Sequence, residues 1–321
     1  MDLAEYLKGV AFKVNCEAEE YSLARDTTLQ KASAHLLTAG GKRLRPALVL
    51  LAADAVRAGA SEEIFPAALA LEWTHTFTLV HDDIMDKDEM RRGTPTVHTE
   101  FGEPTAILAG DVLAAKGFEY LCRAEAPAEA KVKAVQMLSH TVSELCEGQQ
   151  EDISFEARDD VTMDEYISMV RKKTGVLYAA SAGIGGILAG ADPRQTAALY
   201  TLGLNIGIAF QIQDDLLDLT APTEVLGKPQ GSDLRENKQS AVAILAREAG
   251  VDLAKFHKES LSAEEIAEAI ALLEGAGVLE KIRAYSKKII EDAKAGLVSL
   301  SESEAKSLIC EMADYFIARN Y

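Results

Sequence analysis

Phe77-Thr78-Leu79-Val80-His81-Asp82-Asp83-Ile84-Met85-Asp86 is the stretch on which the reading of this chain turns. An apolar run passes without glycine or proline into Asp-Asp-x-x-Asp, which places the cluster on a helix. Residues four apart share a helix face, so Asp82 and Asp86 project together. The pattern returns in Phe210-Gln211-Ile212-Gln213-Asp214-Asp215-Leu216-Leu217-Asp218, where Asp214 and Asp218 share a face. One such cluster in an acid-rich chain reads most simply as a solvated face. Two copies, each in apolar surroundings, resist that reading, because carboxylates there repel one another and lose hydration. Hard oxygen ligands of this kind suit Mg²⁺, which takes one or two carboxylates, several waters and substrate phosphates. Two such walls facing each other would hold a diphosphate between metal ions.

The rest of the composition narrows the class. The chain has 321 residues, 48% of them hydrophobic, with only 8 prolines. Long stretches of Ala, Leu, Glu and Lys favour helix throughout. A net charge of −18 argues against non-specific binding to nucleic acid or to an anionic membrane surface. An anionic substrate therefore needs a local concentration of basic residues. Cys16, Cys122, Cys146 and Cys310 are scattered without metal-site spacing, which fits a reduced, cytoplasmic protein. The N-terminus has no apolar signal core. The most membrane-like run, Gly175 to Ala191, contains four glycines after its first residue and falls short of a spanning length.

Apolar residues recur at three- and four-residue spacing almost everywhere, predicting an all-α protein without an internal linker, a single domain over 1–321. Helices are expected near 3–24, 27–38, 46–58, 64–87, 104–124, 129–155, 162–190, 193–219, 239–248, 261–275, 276–299 and 303–319. Gly40-Gly41 precedes a helix expected to open at Pro46, a favoured first position. Arg91-Arg92-Gly93 is expected to close the helix that carries the first cluster. The longest irregular stretch, 220–238, follows the second cluster and holds Lys228, Arg235 and Lys238; such loops are usually functional or disordered.

Cations accompany both acidic clusters. Gly40-Gly41-Lys42-Arg43-Leu44-Arg45-Pro46 sets three at a helix start, where backbone N–H groups favour anions. A solvated basic turn is the plainer alternative. Arg91 and Arg92 follow the first cluster, with helix-dipole stabilisation as their plainer role. His75 lies seven residues before Asp82, on almost the same helix face, although a lone histidine there is more often a satisfied core residue. Lys172-Lys173-Thr174-Gly175 precedes an apolar helix, and Gln211 shares a face with Asp214. Together these are the cations expected around two bound diphosphates.

In order and spacing the set closely resembles the trans-isoprenyl diphosphate synthases, the short-chain prenyltransferases. The motifs are Gly40-Gly41-Lys42-Arg43-x-Arg45-Pro46, His75, Asp82-Asp83-x-x-Asp86, Arg91-Arg92-Gly93, Gly148-Gln149, Lys173-Thr174-Gly175, Phe210-Gln211-x-x-Asp214-Asp215-x-x-Asp218 and Gly227-Lys228-x-x-Gly231-x-Asp233. One departure is Asn237 before Lys238, where members often have glycine. The resemblance implies the isoprenoid synthase fold, long helices around a deep central cavity, assembled as a homodimer. It implies that Lys42, Arg45, His75 and Arg92 hold isopentenyl diphosphate. It assigns the allylic diphosphate to Arg91, Lys173, Lys228 and Lys238. Asp82, Asp86 and Asp214 are implied ligands of three Mg²⁺ ions, supported by Asp83, Asp215 and Asp218. The chemistry the resemblance implies is ionisation of the allylic C–O bond, attack on the cation by the double bond of isopentenyl diphosphate, and removal of a proton by the released diphosphate. In that chemistry oxygens of Gln211, Thr174 and the Lys173 backbone can face the cation, and closure of the 220–238 loop would exclude water.

Product length rests on resemblance too. Phe77, the fifth residue before the first cluster, is the implied floor of the chain cavity; Thr78 beside it is small. This pattern resembles archaeal-type geranylgeranyl diphosphate synthases, so a C20 product is expected, with farnesyl diphosphate synthase or a bifunctional C15/C20 enzyme as alternatives. Three other readings fit less. An HD-type phosphohydrolase built on His75 and His81-Asp82 leaves the second cluster unexplained. A terpene cyclase usually replaces that cluster and lacks the isopentenyl pocket. A non-catalytic regulatory subunit typically loses aspartates or basic residues, and none is missing here.

Overall fold

A computed structural model of the protein describes residues 2–23, 26–222 and 230–318. Its long elements are all helices: Leu3–Leu23, Thr28–Thr38, Leu44–Val56, Phe65–Met85, Glu103–Cys122, Ala128–Phe155, Met163–Val170, Val176–Leu188, Pro193–Thr220, Ala241–Glu248, Ala263–Gly275, Val278–Ala295 and Glu304–Ile317. Local chemistry explains several starts. Thr27 and Gln30, Thr162 and Glu165, and Ser262 and Glu265 form reciprocal capping boxes that satisfy backbone N–H groups of the first turn. None of the helices among the described residues is long and apolar enough to cross a membrane.

Four local expectations change. The third helix begins at Leu44, with Arg43 as its N-cap, so Pro46 sits two residues further into the first turn than expected. That position is still tolerated, since first-turn N–H groups have no intrahelical partner. The helix with the first cluster stops at Met85, and Arg91 and Arg92 do not close it. They lie in a hairpin of Met90–Arg91 against Thr94–Pro95. Its two turn residues, Arg92 and Gly93, have φ of 53° and 76°, the left-handed pair that tight hairpins require. The helix expected over 162–190 is interrupted by a π turn at Arg171–Gly175, where the Val176 N–H reaches back to the Arg171 carbonyl. Finally, part of the 220–238 stretch is helical, at Ser232–Arg235. Lys228 and Gly227 lie outside the described residues.

The chain forms two compact units. The first comprises Met1–Thr141, Ala180–Tyr200 and Val298–Glu311. Its interior centres on fully buried Trp73, packed edge-on against Tyr21 at 5.9 Å and tilted against Tyr120 at 5.4 Å. Leu36, Leu37, Leu48, Leu51, Leu71 and Leu113 are fully buried in the same unit. The second unit comprises Val142–Ala179, Thr201–Leu297 and Met312–Tyr321. Its core runs from Phe155 and Tyr166 through Ile208, Ile212 and Leu216 to Ile244, Leu245, Leu273 and Ile282. Each unit carries one of the aspartate clusters.

Candidate active site

In the first unit, Asp82 is half-buried, Asp83 buried and Asp86 exposed. Asp86 caps the helix, its N–H donating to the Asp82 carbonyl at 2.8 Å, so the expected four-residue relation holds. Asp83 points inward. Its Oδ1 accepts from Arg91 Nε at 2.5 Å, while Oδ2 is buried with no hydrogen-bond partner. Burial pushes the Asp83 carboxyl up to about 6, against the pull of the Arg91 guanidinium. Arg91 is therefore clamped to the cluster itself.

The glycine-rich loop is organised by Arg43, expected as one of three cations for an anion but turned into the interior instead. Arg43 has φ of 49° and a completely buried side chain. Its Nε donates to Asn15 Oδ1 at 3.0 Å, and its two terminal nitrogens donate to Glu72 Oε1 and the Leu37 carbonyl. With Arg43 anchored below, Lys42 stays exposed and Arg45 half-buried on either side. Arg92 donates from the hairpin to the Gly40 carbonyl. Its guanidinium carbon would lie only 3.1 Å from a Cβ on Gly41, whose φ is +143°, so this position requires glycine. His75 stands among these cations. Burial and then the charges of Arg45, Arg92, Arg91 and Arg43 hold its ring well below the usual histidine range, so it is neutral. The four residues expected for one diphosphate are thus brought together in one unit.

Phe77 is buried, its ring 5.9 Å from that of His81 and edge-on to it. His81 Nε2 lies 3.1 Å from the Ile107 carbonyl. That contact occupies one ring nitrogen of His81, which weakens the phosphohydrolase reading.

In the second unit the π turn presents Lys173 and Thr174. Gly148 makes this possible: a Cβ there would stand 2.3 Å from the Lys173 backbone nitrogen. Lys173 Nζ is paired with Asp152 Oδ2 at 2.5 Å. Thr174 Oγ1 donates to Gln211 Oε1 at 3.2 Å, and Gln211 Nε2 donates to Asp215 Oδ1 at 3.0 Å. Asp215 also accepts, on Oδ2, from Tyr166 Oη at 2.7 Å and the Ala241 N–H at 2.9 Å. Burial, with the Asp233 charge, raises the Asp215 carboxyl to about 7, against these donors. Asp214 is half-buried. Asp218 anchors the far side of the loop, its oxygens accepting from Ser232 Oγ at 2.6 Å and the Asp233 N–H at 3.0 Å. Lys238 lines a small cavity with Asp215, Asp218, Asp233 and His257. Asn237 before it has φ of 53°, a left-handed conformation that glycine adopts freely and asparagine tolerates.

Among the described residues no three His, Cys, Asp or Glu side chains converge into a ready metal cage. Asp82 and Asp86, carboxylates four apart on one helix, are hard oxygen donors of the kind Mg²⁺ takes beside waters and phosphate oxygens. Asp83, turned inward on Arg91, stands off the face that Asp82 and Asp86 share. Sequence reasoning gave no role to Glu72, Asp152 or Tyr166. Glu72 had a signal, as the lone charge in the run Ala70-Leu71-Glu72-Trp73; the other two had none.

A polyprenyl synthetase family model matches residues 26–273. The geranylgeranyl diphosphate synthase of Methanosarcina mazei is 46% identical over 322 residues, spanning 100% of this chain and 99% of its own. The geranylfarnesyl diphosphate synthase of Natronomonas pharaonis is 44% identical, covering 95% and 94%. The geranylgeranyl pyrophosphate synthetase structure from Geoglobus acetivorans superposes with a TM-score of 0.90 at 46% identity, over 98% of this chain and 99% of that one. With its all-α isoprenoid synthase fold and nearly full-length similarity to these enzymes, the chain belongs to the polyprenyl synthetase family.

Proposed function

We propose that the protein condenses isopentenyl diphosphate with dimethylallyl, geranyl and farnesyl diphosphates, ending at C20 geranylgeranyl diphosphate. As a member of this family it is a prenyltransferase acting on isoprenyl diphosphates. The observation that carries the finer reading is the joining of Lys42, Arg45, His75 and Arg92 around the Gly40–Gly41 turn, in the unit that holds Asp82 and Asp86. A neutral imidazole among guanidinium groups offers an N–H and concentrated positive charge to an anion. We assign isopentenyl diphosphate to this cluster.

Asp82, Asp86 and Asp214 are assigned to Mg²⁺, which the family generally uses. When bound, that ion neutralises charge developing on the departing diphosphate. Lys173, Lys228 and Lys238, with Arg91, are assigned to the allylic diphosphate; Lys173 then exchanges Asp152 for phosphate oxygen. Thr174 and Gln211 turn oxygen atoms toward the allylic cation, the chemistry that needs lone pairs without a nucleophile. Phe77 is assigned to the floor of the chain cavity. A C25 end product is the second reading, favoured by similarity to the geranylfarnesyl diphosphate synthases of Natronomonas pharaonis and Aeropyrum pernix. The whole chain is taken as one polyprenyl synthetase domain acting as a homodimer in the cytoplasm.

Chromatography of dephosphorylated products tests this. Wild-type protein with Mg²⁺ should accumulate geranylgeraniol, with chelation abolishing turnover; a C15 or C25 end product overturns the C20 assignment. In Lys42→Ala the KM for isopentenyl diphosphate should rise at least about tenfold, from loss of one charge-assisted contact. An equal rise in the allylic KM would merge the two pockets.

A further inference from the structure

We propose that Tyr166 is a positioning residue for prenyl transfer, acting through Asp215 on the Gln211 carboxamide; this rests on the functional reading above. The two ends of a carboxamide have nearly the same shape, so its partners decide which end faces which way. Here Gln211 Nε2 donates to Asp215 Oδ1, and that leaves Oε1 toward the Thr174 hydroxyl. The Asp215 carboxylate is in turn held against rotation at its other oxygen, by Tyr166 Oη at 2.7 Å and the Ala241 N–H at 2.9 Å. Tyr166 is 2% exposed, so water does not readily replace its hydroxyl. It lies on the capped helix Met163–Val170, directly before the π turn that carries Thr174. Two consecutive elements thus supply the tyrosine at the far end of this hydrogen-bond relay and the threonine at its near end.

The consequence is electrostatic. Because Thr174 gives its proton to Gln211, its oxygen lone pairs remain for a neighbouring positive centre. A carboxamide facing the other way would offer N–H groups to Thr174 and place a positive edge there. Asp215 then acts less as a metal ligand than as the hub between Tyr166, the Ala241–Glu248 helix and Gln211. Polar networks of this kind hold an orientation only while every member is present.

The test is Tyr166→Phe, which keeps the ring and removes the hydroxyl. Turnover should fall about tenfold, the worth of one hydrogen bond to a charged group, with both KM values within about twofold of wild type. In parallel, the side-chain NH₂ resonances of Gln211, assigned in ¹⁵N-labelled protein through a Gln211→Glu variant, should exchange with solvent faster in Tyr166→Phe. Asp215→Asn, which can turn the carboxamide round, should shift the same resonances further. Unchanged turnover, a change confined to KM, or Gln211 resonances identical to wild type would each overturn the proposal. A wild-type protein that condenses nothing would sink the functional reading, and the Gln211 signals would then decide alone whether Tyr166 orients that side chain.

Discussion

His75 shows how far one residue depends on its surroundings. Its field is set by Arg43, Arg45, Arg91 and Arg92, and Arg43 is held by Glu72 one helical turn before the histidine. Removing Glu72 would leave a buried guanidinium with an unpaired charge, a change that costs about 3–5 kcal/mol in typical proteins. The folded His75 binds its proton less tightly than the unfolded chain, whose ring titrates near 6.5. Stability from this group is therefore complete above pH 6.5 and is lost as pH falls below that value, because unfolding takes up a proton. Histidine ring NMR on ligand-free protein should show no His75 inflection near 6.5. Added inorganic diphosphate, by neutralising the guanidinium field, should move its titration upward. An ordinary titration without ligand would refute the cationic pocket.

Between elements, close approach decides what side chains can do. The Phe65–Met85 and Glu103–Cys122 helices pack so tightly that a Cβ on Gly110 would lie 2.1 Å from His81 Nε2. His81 fills that space and braces Phe77. Gly110→Ala should displace His81, lower stability by about 1–3 kcal/mol through overpacking, and change product length by moving Phe77. Phe77→Ala should lengthen the product by opening the same wall. Thermal denaturation and product chromatography read both variants. Unaltered product lengths in the two would detach Phe77 from chain-length control. The π turn is the corresponding device in the second unit: it reaches Lys173 and Thr174 across to residues 148–152 and to Gln211.

For the whole molecule, a net charge of −18 makes local cation clusters the means of holding anionic substrates. It also disfavours association between copies, unless an apolar face overcomes the repulsion. Ile107 and Leu108 on the Glu103–Cys122 helix are 43% and 53% exposed, and Val132 on the Ala128–Phe155 helix 56%. Sedimentation or light scattering should return twice the 34.6 kDa chain mass. Leu108→Glu should reduce it toward that of one chain. A wild-type monomer would rule out the homodimer.

Helix content, the order of the helices and both aspartate clusters followed from the sequence alone, because 3.6-residue periodicity, caps and the i, i+4 relation are local properties. Lys42, Arg45, His75, Lys173, Thr174 and Gln211 were singled out for another reason, a resemblance to prenyltransferase motifs, and their roles are those proposed above. Tertiary structure alone decided that Arg43 is a buried strut on Glu72, that Asp83 is clamped by Arg91 and that Asp215 serves Tyr166 and Gln211. It also moved Arg91 and Arg92 from a helix end into a hairpin, and put a π turn where periodicity read straight helix. The Asp83–Arg91, Arg43–Glu72 and Tyr166–Asp215 contacts join residues 8, 29 and 49 apart in the chain. No local pattern encodes them, because a carboxylate on a helix looks the same in sequence whether it meets a metal, an arginine or a tyrosine.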